Sequence, residues 1–330
     1  MSNVVVILGP DNPSSARRLN ECQAVADRIG GIQLKLVNSG LAPEEIVAQC
    51  QDAIAILPSG ARNLTPEMAA KMPKLKLIQT FSAGTDYLDK SALAELGIDV
   101  ANNGGANAVA VAEHAIGLMF AVNRKLDVQI ESVKAGTWMA GVKGQREEFH
   151  TLVGKRVGIV GLGRIGSRVA KRLAGWECEI VYHDVLKFDA EYEKAAGAKR
   201  VGFEELLSTS DIVTLHVPLE RTTHHMISGH ELSLMKPTAI LINTCRGPVV
   251  DETALIRALE NKTIFAAGLD VTEIEPVEAD NPLPTMTNVV VTPHMATRAI
   301  ESEYNAAENA VTNAARLARG EKPEWVVPPV

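Results

Sequence analysis

The chain has 330 residues, of which 46% are hydrophobic and 22% charged, and it carries a formal net charge of −7. That apolar content excludes a disordered chain and suffices for about two folded domains. The acidic balance argues against a nucleic-acid or anionic-membrane partner, either of which favours a basic face.

The N-terminus leads from Asn3 straight into the β-branched run Val4–Leu8, which reads as a first strand and not as a secretory signal. Short strand-like runs follow at Leu34–Val37, Ala53–Leu57, Leu75–Thr80 and Ile98–Ala101. Helical patterns separate them at Ala16–Ile29, Pro43–Gln51, Pro66–Lys71 and Lys90–Leu96. Pro43 and Pro66 stand at helix starts, where the missing N–H removes no bond. Strands alternating with helices predict a parallel sheet covered on both faces. The turn formers Asn102-Asn103-Gly104-Gly105 then mark a hinge. One long helix is predicted from Ala108 to Ala135, apolar nearly all round in its first half and so buried by a domain or subunit neighbour.

A second alternation begins at Arg156, with strands at Arg156–Val160, Glu179–His183, Ile212–His216, Ala239–Asn243, Phe265–Asp270 and Val289–Thr292. A final helix over Ala299–Arg319 stops at Gly320. No window holds the roughly 18 continuous apolar residues of a membrane span. Cys22, Cys50, Cys178 and Cys245 are scattered without metal-ligand spacing, which suits a reducing cytoplasm and predicts no metal site.

The strongest motif is Gly161-Leu162-Gly163-Arg164-Ile165-Gly166, which follows a β-branched strand and opens a helix. In that context the pattern predicts a dinucleotide turn. Gly161 permits the tight turn, Gly163 lets the backbone approach a pyrophosphate, and Gly166 allows close helix–strand packing. The helix N-terminus then holds the phosphates. Asp184 ends the next strand, 23 positions after Gly161, where a ribose-binding carboxylate belongs. No arginine stands at 185 or 186, so NAD is expected over NADP.

Three later strand ends carry Arg246 in Asn243-Thr244-Cys245-Arg246-Gly247, Glu275-Pro276 after Gly268-Leu269-Asp270-Val271, and His294 in Pro293-His294. Each has a bland reading alone: a solvated arginine, one more acid in an acidic loop, a satisfied loop histidine. Following a nucleotide motif, the three converge where open parallel sheets bind ligands. Cys245 reads as a small packing residue, since hydride transfer needs no covalent intermediate.

Over nearly its whole length the chain resembles the D-isomer-specific 2-hydroxyacid dehydrogenase family. The matching elements are Ser82-Ala83-Gly84-Thr85-Asp86, Asn107 with Val111-Ala112-Glu113, the GLGRIG turn, His216-Val217-Pro218, and the three catalytic segments. The resemblance implies two doubly wound parallel-sheet α/β domains. A Rossmann NAD-binding domain (104–296) would be inserted into a discontinuous flavodoxin-like substrate domain (1–103 and 297–330), with homodimers pairing through the nucleotide domains. It casts Arg246 as the group that binds the substrate carboxylate and polarises the 2-oxo group, a role suited to a planar fork. His294 becomes the general acid–base and Glu275 the carboxylate that orients it and favours its protonated form. The Ala83 and Gly84 amides, beside Ser82, would grip the substrate carboxylate. Arg164, Ile165, His216, Pro218, Thr244, Cys245 and Asp270 complete the expected cofactor contacts.

The resemblance implies a cytoplasmic oxidoreductase moving a hydride between NAD(H) and a small 2-oxo or 2-hydroxy acid. Formate dehydrogenases resemble a pattern with Gln at the position of Glu275, and phosphite dehydrogenases one with Lys at the position of Ala83. A D-3-phosphoglycerate dehydrogenase-like activity is the alternative. Ser59 stands where those enzymes place an arginine, though Arg62 is near, and the sequence ends soon after its last helix. A reading of another class is an NAD(H)-binding corepressor-like sensor, although no basic tail is visible. Trp138 either packs at the domain edge or reaches a partner subunit.

Overall fold

The computed structural model describes residues 3–141 and 149–329. The chain divides into two compact units, Met1–Asn107 with Arg298–Val330, and Ala108–Thr297.

In the first unit, strands β1 (Asn3–Gly9), β2 (Ile32–Asn38), β3 (Ala53–Pro58), β4 (Leu77–Gln79) and β5 (Asp99–Ala101) form a parallel sheet in the order β2-β1-β3-β4-β5. That order is the flavodoxin-like one. Alternation along β1 sends Val6 and Leu8 to one face, where Ile46, Met68 and Leu93 cover them. Val5 and Ile7 face the other side, against Cys22, Val25 and Ala26 of helix α1 (Pro13–Ile29). Asn12 caps α1 by accepting from Ser15 N at 3.0 Å. The last helix, α12 (Ile300–Ala318), returns to this same face through Ala307, Ala310, Val311 and Ala314. Its Asn313 donates to Gln79 Oε1 at 2.6 Å, closing a buried polar pair beneath β4.

The second unit opens with α5 (Ala108–Asn123) and α6 (Leu126–Lys134) where one helix was expected. The break centres on Asn123. Asn123 turns its side chain onto Met119 O at 2.7 Å, and its own carbonyl accepts from His150 N at 3.0 Å. Those bonds compete with helix propagation, and Lys125 then adopts the left-handed region at φ 46°. Within the single chain α5 buries one face. Ala112, Ala115, Leu118, Met119 and Val122 pack on the sheet of the same unit, while Val109 is exposed.

That sheet has seven parallel strands in the order β12-β11-β10-β9-β6-β7-β8. They are β6 (Arg156–Val160), β7 (Glu179–His183), β8 (Lys199–Arg200), β9 (Ile212–Leu215), β10 (Ile240–Asn243), β11 (Ala266–Leu269) and β12 (Val289–Val291). The two-residue edge strand β8 was not expected; it is too short to show periodicity. The strand order reverses at β6, which lies between β7 and β9. Ligands bind at such switch points, beyond the carboxyl ends of the strands.

Candidate active site

Beyond β6 the chain turns through the glycine motif into helix α7 (Gly166–Leu173). Gly161 has φ +92°, and a Cβ there would sit 2.7 Å from His216 O in the loop after β9. A Cβ on Gly166 would lie 2.0 Å from Gly161 O. Both positions therefore exclude side chains for reasons internal to the fold. Gly163 differs: a Cβ there meets no atom within 4 Å. Open space over the second glycine, with no side chain capping α7, fits a ligand phosphate drawn to the helix N-terminus.

Asp184, just past β7, accepts from Leu162 N and Leu186 N, each at 2.8 Å and each on a different carboxylate oxygen. The ribose-binding candidate is thus fixed to the glycine turn, and each oxygen keeps a further lone pair for a hydroxyl. Arg164 is exposed and Ile165 partly buried at the start of α7.

Beyond β9 and β10 lie two buried polar atoms without a hydrogen-bond partner among the described residues, His216 Nδ1 and Thr244 Oγ1. Buried polar groups are rarely left unpaired, so this pair fits the polar end of a bound dinucleotide. Burial holds the His216 imidazole well below the ordinary histidine range, at about 3, and its Nε2 lies 3.0 Å from Thr214 Oγ1. Pro218 is exposed, and its carbonyl accepts from Thr223 Oγ1 at 2.7 Å. Cys245 is buried and its thiol pushed up to about 11, mainly by that burial. Its Sγ donates to Asn243 Oδ1 at 3.0 Å, which agrees with a packing role.

Arg246 follows in an extended conformation, half-buried, with Nη1 donating to Cys245 O at 2.8 Å. Asn243 fixes this loop from below by donating to Arg246 O at 2.9 Å. Gly247 then passes so close to the next loop that a Cβ would meet Thr272 O at 1.8 Å. Only glycine lets the Arg246 loop lie against the segment leading to Glu275.

Glu275 precedes a cis bond to Pro276. Its Oε2 lies 2.7 Å from His294 Nδ1, with the two side chains 37% and 36% exposed. His294 itself sits at φ +53°. The residue that holds it there is Asp270, whose carbonyl accepts from His294 N at 2.8 Å. The Asp270 carboxylate is buried and accepts from Met295 N (2.9 Å), Ala296 N (2.8 Å) and Thr292 Oγ1 (2.6 Å). Burial alone would raise its pKa. The contacts from His114 and Thr292 and the two backbone amides more than offset that and hold it below the usual carboxylate range. The structure thus gives Asp270 a full set of partners within its own unit.

Sequence reasoning did not single out His114. It projects from α5 with Nε2 2.9 Å from Thr292 Oγ1 and 3.4 Å from Asp270 Oδ1. The available signal was an imidazole, next to Glu113, inside a largely apolar helical run. Ser82, Ala83 and Gly84 belong to the first unit. There Thr80 Oγ1 and Asn103 N donate to Ser82 O at 2.7 and 3.0 Å, and Ser82 Oγ donates to Gly84 O at 2.8 Å. Among the described residues no cluster of His, Cys, Asp and Glu could hold a metal ion, and no helix is long and apolar enough to cross a membrane.

Comparison with known proteins agrees with this arrangement. Residues 116–296 match the model for the D-isomer specific 2-hydroxyacid dehydrogenase, NAD binding domain. A glyoxylate reductase of Thermofilum pendens is 38% identical over 86% of this chain and 84% of its own. A D-3-phosphoglycerate dehydrogenase of Archaeoglobus fulgidus is 35% identical over 89% of this chain but only 54% of its own. Among solved structures, a glyoxylate reductase from Paecilomyes thermophila superposes with a TM-score of 0.85 at 30% identity, covering 99% of both chains. With its nucleotide turn, its Arg–Glu–His strand ends and these relatives, the chain belongs to the D-isomer specific 2-hydroxyacid dehydrogenase family and is an NAD-dependent oxidoreductase acting on CH–OH donors.

Proposed function

We propose that the substrate is a small, unphosphorylated 2-oxo acid of the glyoxylate or hydroxypyruvate kind, reduced to its 2-hydroxy acid. The observation that carries the chemistry is the 2.7 Å contact between His294 Nδ1 and Glu275 Oε2. With Nδ1 committed to the carboxylate, Nε2 is the nitrogen left to exchange a proton with substrate oxygen. NAD(H), when bound, supplies or accepts the hydride at the nicotinamide. Arg246 binds the substrate carboxylate and draws electron density from the 2-oxo group, a task for a fixed, permanently charged fork. His294 delivers its proton to the developing alkoxide during reduction and takes it back during oxidation. The Ser82-Ala83-Gly84 loop supplies backbone amides to the substrate carboxylate. The domain holding that loop, 1–103 with 297–330, binds substrate, and 104–296 binds the cofactor. On the cofactor side, Gly161, Gly163, Arg164, Ile165 and Gly166 cradle the pyrophosphate and Asp184 takes the ribose. His216, Pro218, Thr244, Cys245 and Asp270 border the nicotinamide end.

The reading of a small substrate is supported by the glyoxylate reductases at 37–41% identity. Two further assignments belong with it: a cytoplasmic location, consistent with four free cysteines, and a homodimer. The dimer is supported by an apolar stripe along α6, where Leu126, Ile130 and Val133 are exposed and Trp138, 72% exposed, stands just beyond. A monomer normally covers such a patch. The experiment is NADH oxidation with glyoxylate, hydroxypyruvate, pyruvate, phosphohydroxypyruvate and bulkier 2-oxo acids. Glyoxylate or hydroxypyruvate should give the highest kcat/KM. A preference for the phosphorylated acid would refute the substrate assignment, and tight NADH binding without turnover would favour a sensor.

A further inference from the structure

The second unit contains another imidazole–carboxylate contact that the proposed reaction leaves unused. His225 Nε2 lies 2.8 Å from Glu273 Oε1, with the side chains 34% and 31% exposed. His225 lies in the loop after β9 at φ +51°. Its backbone N–H donates to Pro248 O at 2.8 Å, two residues past Arg246. Its side chain meets Glu273, two residues before Glu275. One residue therefore grips the Arg246 loop through its backbone and the Glu275 loop through its imidazole.

The surroundings make that grip part of a larger tie. Ile227 N donates to Val249 O at 3.2 Å, and Asp251 N donates back to Ile227 O at 2.9 Å, so the two loops run side by side. Glu273 Oε2 accepts from Glu252 N at 3.1 Å, while Glu273 N donates to Glu252 Oε2 at 2.8 Å. The remaining Glu252 oxygen accepts from Asn281 at 2.6 Å. With the close approach of Gly247 to Thr272, the loops after β9, β10 and β11 are fastened at four places. The imidazole contact and the Glu252 contacts both meet at Glu273, two residues before Glu275.

We propose that His225 is a positioning residue, holding the Arg246 and Glu275 loops in register through its contact with Glu273. The inference rests on the roles given above to Arg246 and Glu275. Partly exposed ion pairs of this sort contribute little to global stability. A shift of about 1 Å in a reacting group can cost on the order of 100-fold in rate. The contact should therefore register in turnover and substrate affinity rather than in melting temperature. Nε2 donates to Glu273 with the ring neutral or charged, and a glutamine places an amide nitrogen at similar reach.

The test compares His225→Ala, His225→Gln, Glu273→Ala, the His225→Ala/Glu273→Ala double variant and Arg246→Ala in the full chain. Each is measured for kcat and KM with glyoxylate, for NADH affinity by fluorescence, and for melting temperature. His225→Ala should lower kcat/KM about 10- to 100-fold, with NADH affinity within twofold of the parent and little change in Tm. His225→Gln should recover to within about threefold of the parent. The double variant should be no worse than the poorer single one. Unchanged kcat/KM in His225→Ala, activity falling only in step with Tm or NADH affinity, no recovery with Gln, or additive losses would overturn the role of His225. Arg246→Ala separates the two levels: it should lose more than 100-fold, and wild-type turnover there would overturn the reading of the site itself.

Discussion

Adding a single methyl group at two glycines of the same turn should have opposite consequences. In Gly163→Ala the new Cβ meets no atom within 4 Å, so the free protein should fold with its Tm unchanged to within about 1–2 °C, as a neutral surface substitution would. The methyl occupies the side from which a pyrophosphate approaches the backbone. Holding that phosphate off weakens charge-assisted hydrogen bonds of about 1.5–3 kcal/mol each, so NADH dissociation should rise about 10- to 100-fold. In Gly166→Ala the Cβ would lie 2.0 Å from Gly161 O, a backbone atom that cannot swing aside. Overpacking of this kind costs about 1–3 kcal/mol. At about 2–4 °C per kcal/mol for a unit of this size, that is a loss of roughly 2–12 °C. Scanning fluorimetry without cofactor and fluorescence titration with NADH separate the two effects. Equal Tm losses in both variants, or an unchanged NADH affinity in Gly163→Ala, would refute the assignment of the second glycine to the ligand.

Three other outcomes follow from the site. Glu275→Gln removes the negative charge beside His294 Nδ1, so reductive kcat/KM at pH 8 should fall at least about tenfold. NADH affinity should stay within about twofold of the parent; an unchanged kcat/KM would take Glu275 out of proton transfer. His216 is held at about 3 in the folded chain, so between its ordinary value of about 6.5 and about 3 the unfolded chain binds a proton that the folded chain refuses. Stability should therefore decline as pH falls through that window, and His216→Gln should flatten the decline in urea titrations between pH 7 and pH 4. The Cys245 thiol, pushed up to about 11 and buried, should resist iodoacetamide at pH 8 in the native protein and react in urea. Rapid labelling of the native chain, located by peptide mapping, would contradict its packing role.

The elements that set the fold were legible because they are long, periodic or punctuated. The β-branched run ahead of Gly161 and the spacing to Asp184 identify β6, α7 and β7 without any other element. The break between α5 and α6 was not, because it depends on a bond from His150, 27 positions away, to Asn123 O; no local pattern records such a partner. The site divides in the same way. Arg246, Glu275 and His294 stand out through their short local sequences. By contrast, the anchoring of His294 by Asp270, and of Asp270 by His114, links α5 to the strand ends beyond β11 and β12. His225 was invisible for the same reason: its two partners, Pro248 and Glu273, are distant in sequence and adjacent only once three loops have been stacked. Gly247 reads as an ordinary turn residue until its approach to Thr272 is seen.

The return of α12 to the first sheet has a consequence for the order in which the chain is made. Residues of the second unit are contiguous, so that unit can complete its sheet as soon as β12 has emerged from the ribosome. The first unit cannot. Val5, Ile7, Ala55, Leu57 and Leu77 share a hydrophobic cluster with Ala307, Ala310, Val311 and Ala314, and those partners are synthesised just over 200 residues after β5. At about 5–20 residues per second, the earliest strands wait on the order of ten seconds or more with that half of their apolar face unmatched. The first sheet, although translated before the second, is thus the later of the two to complete its apolar packing.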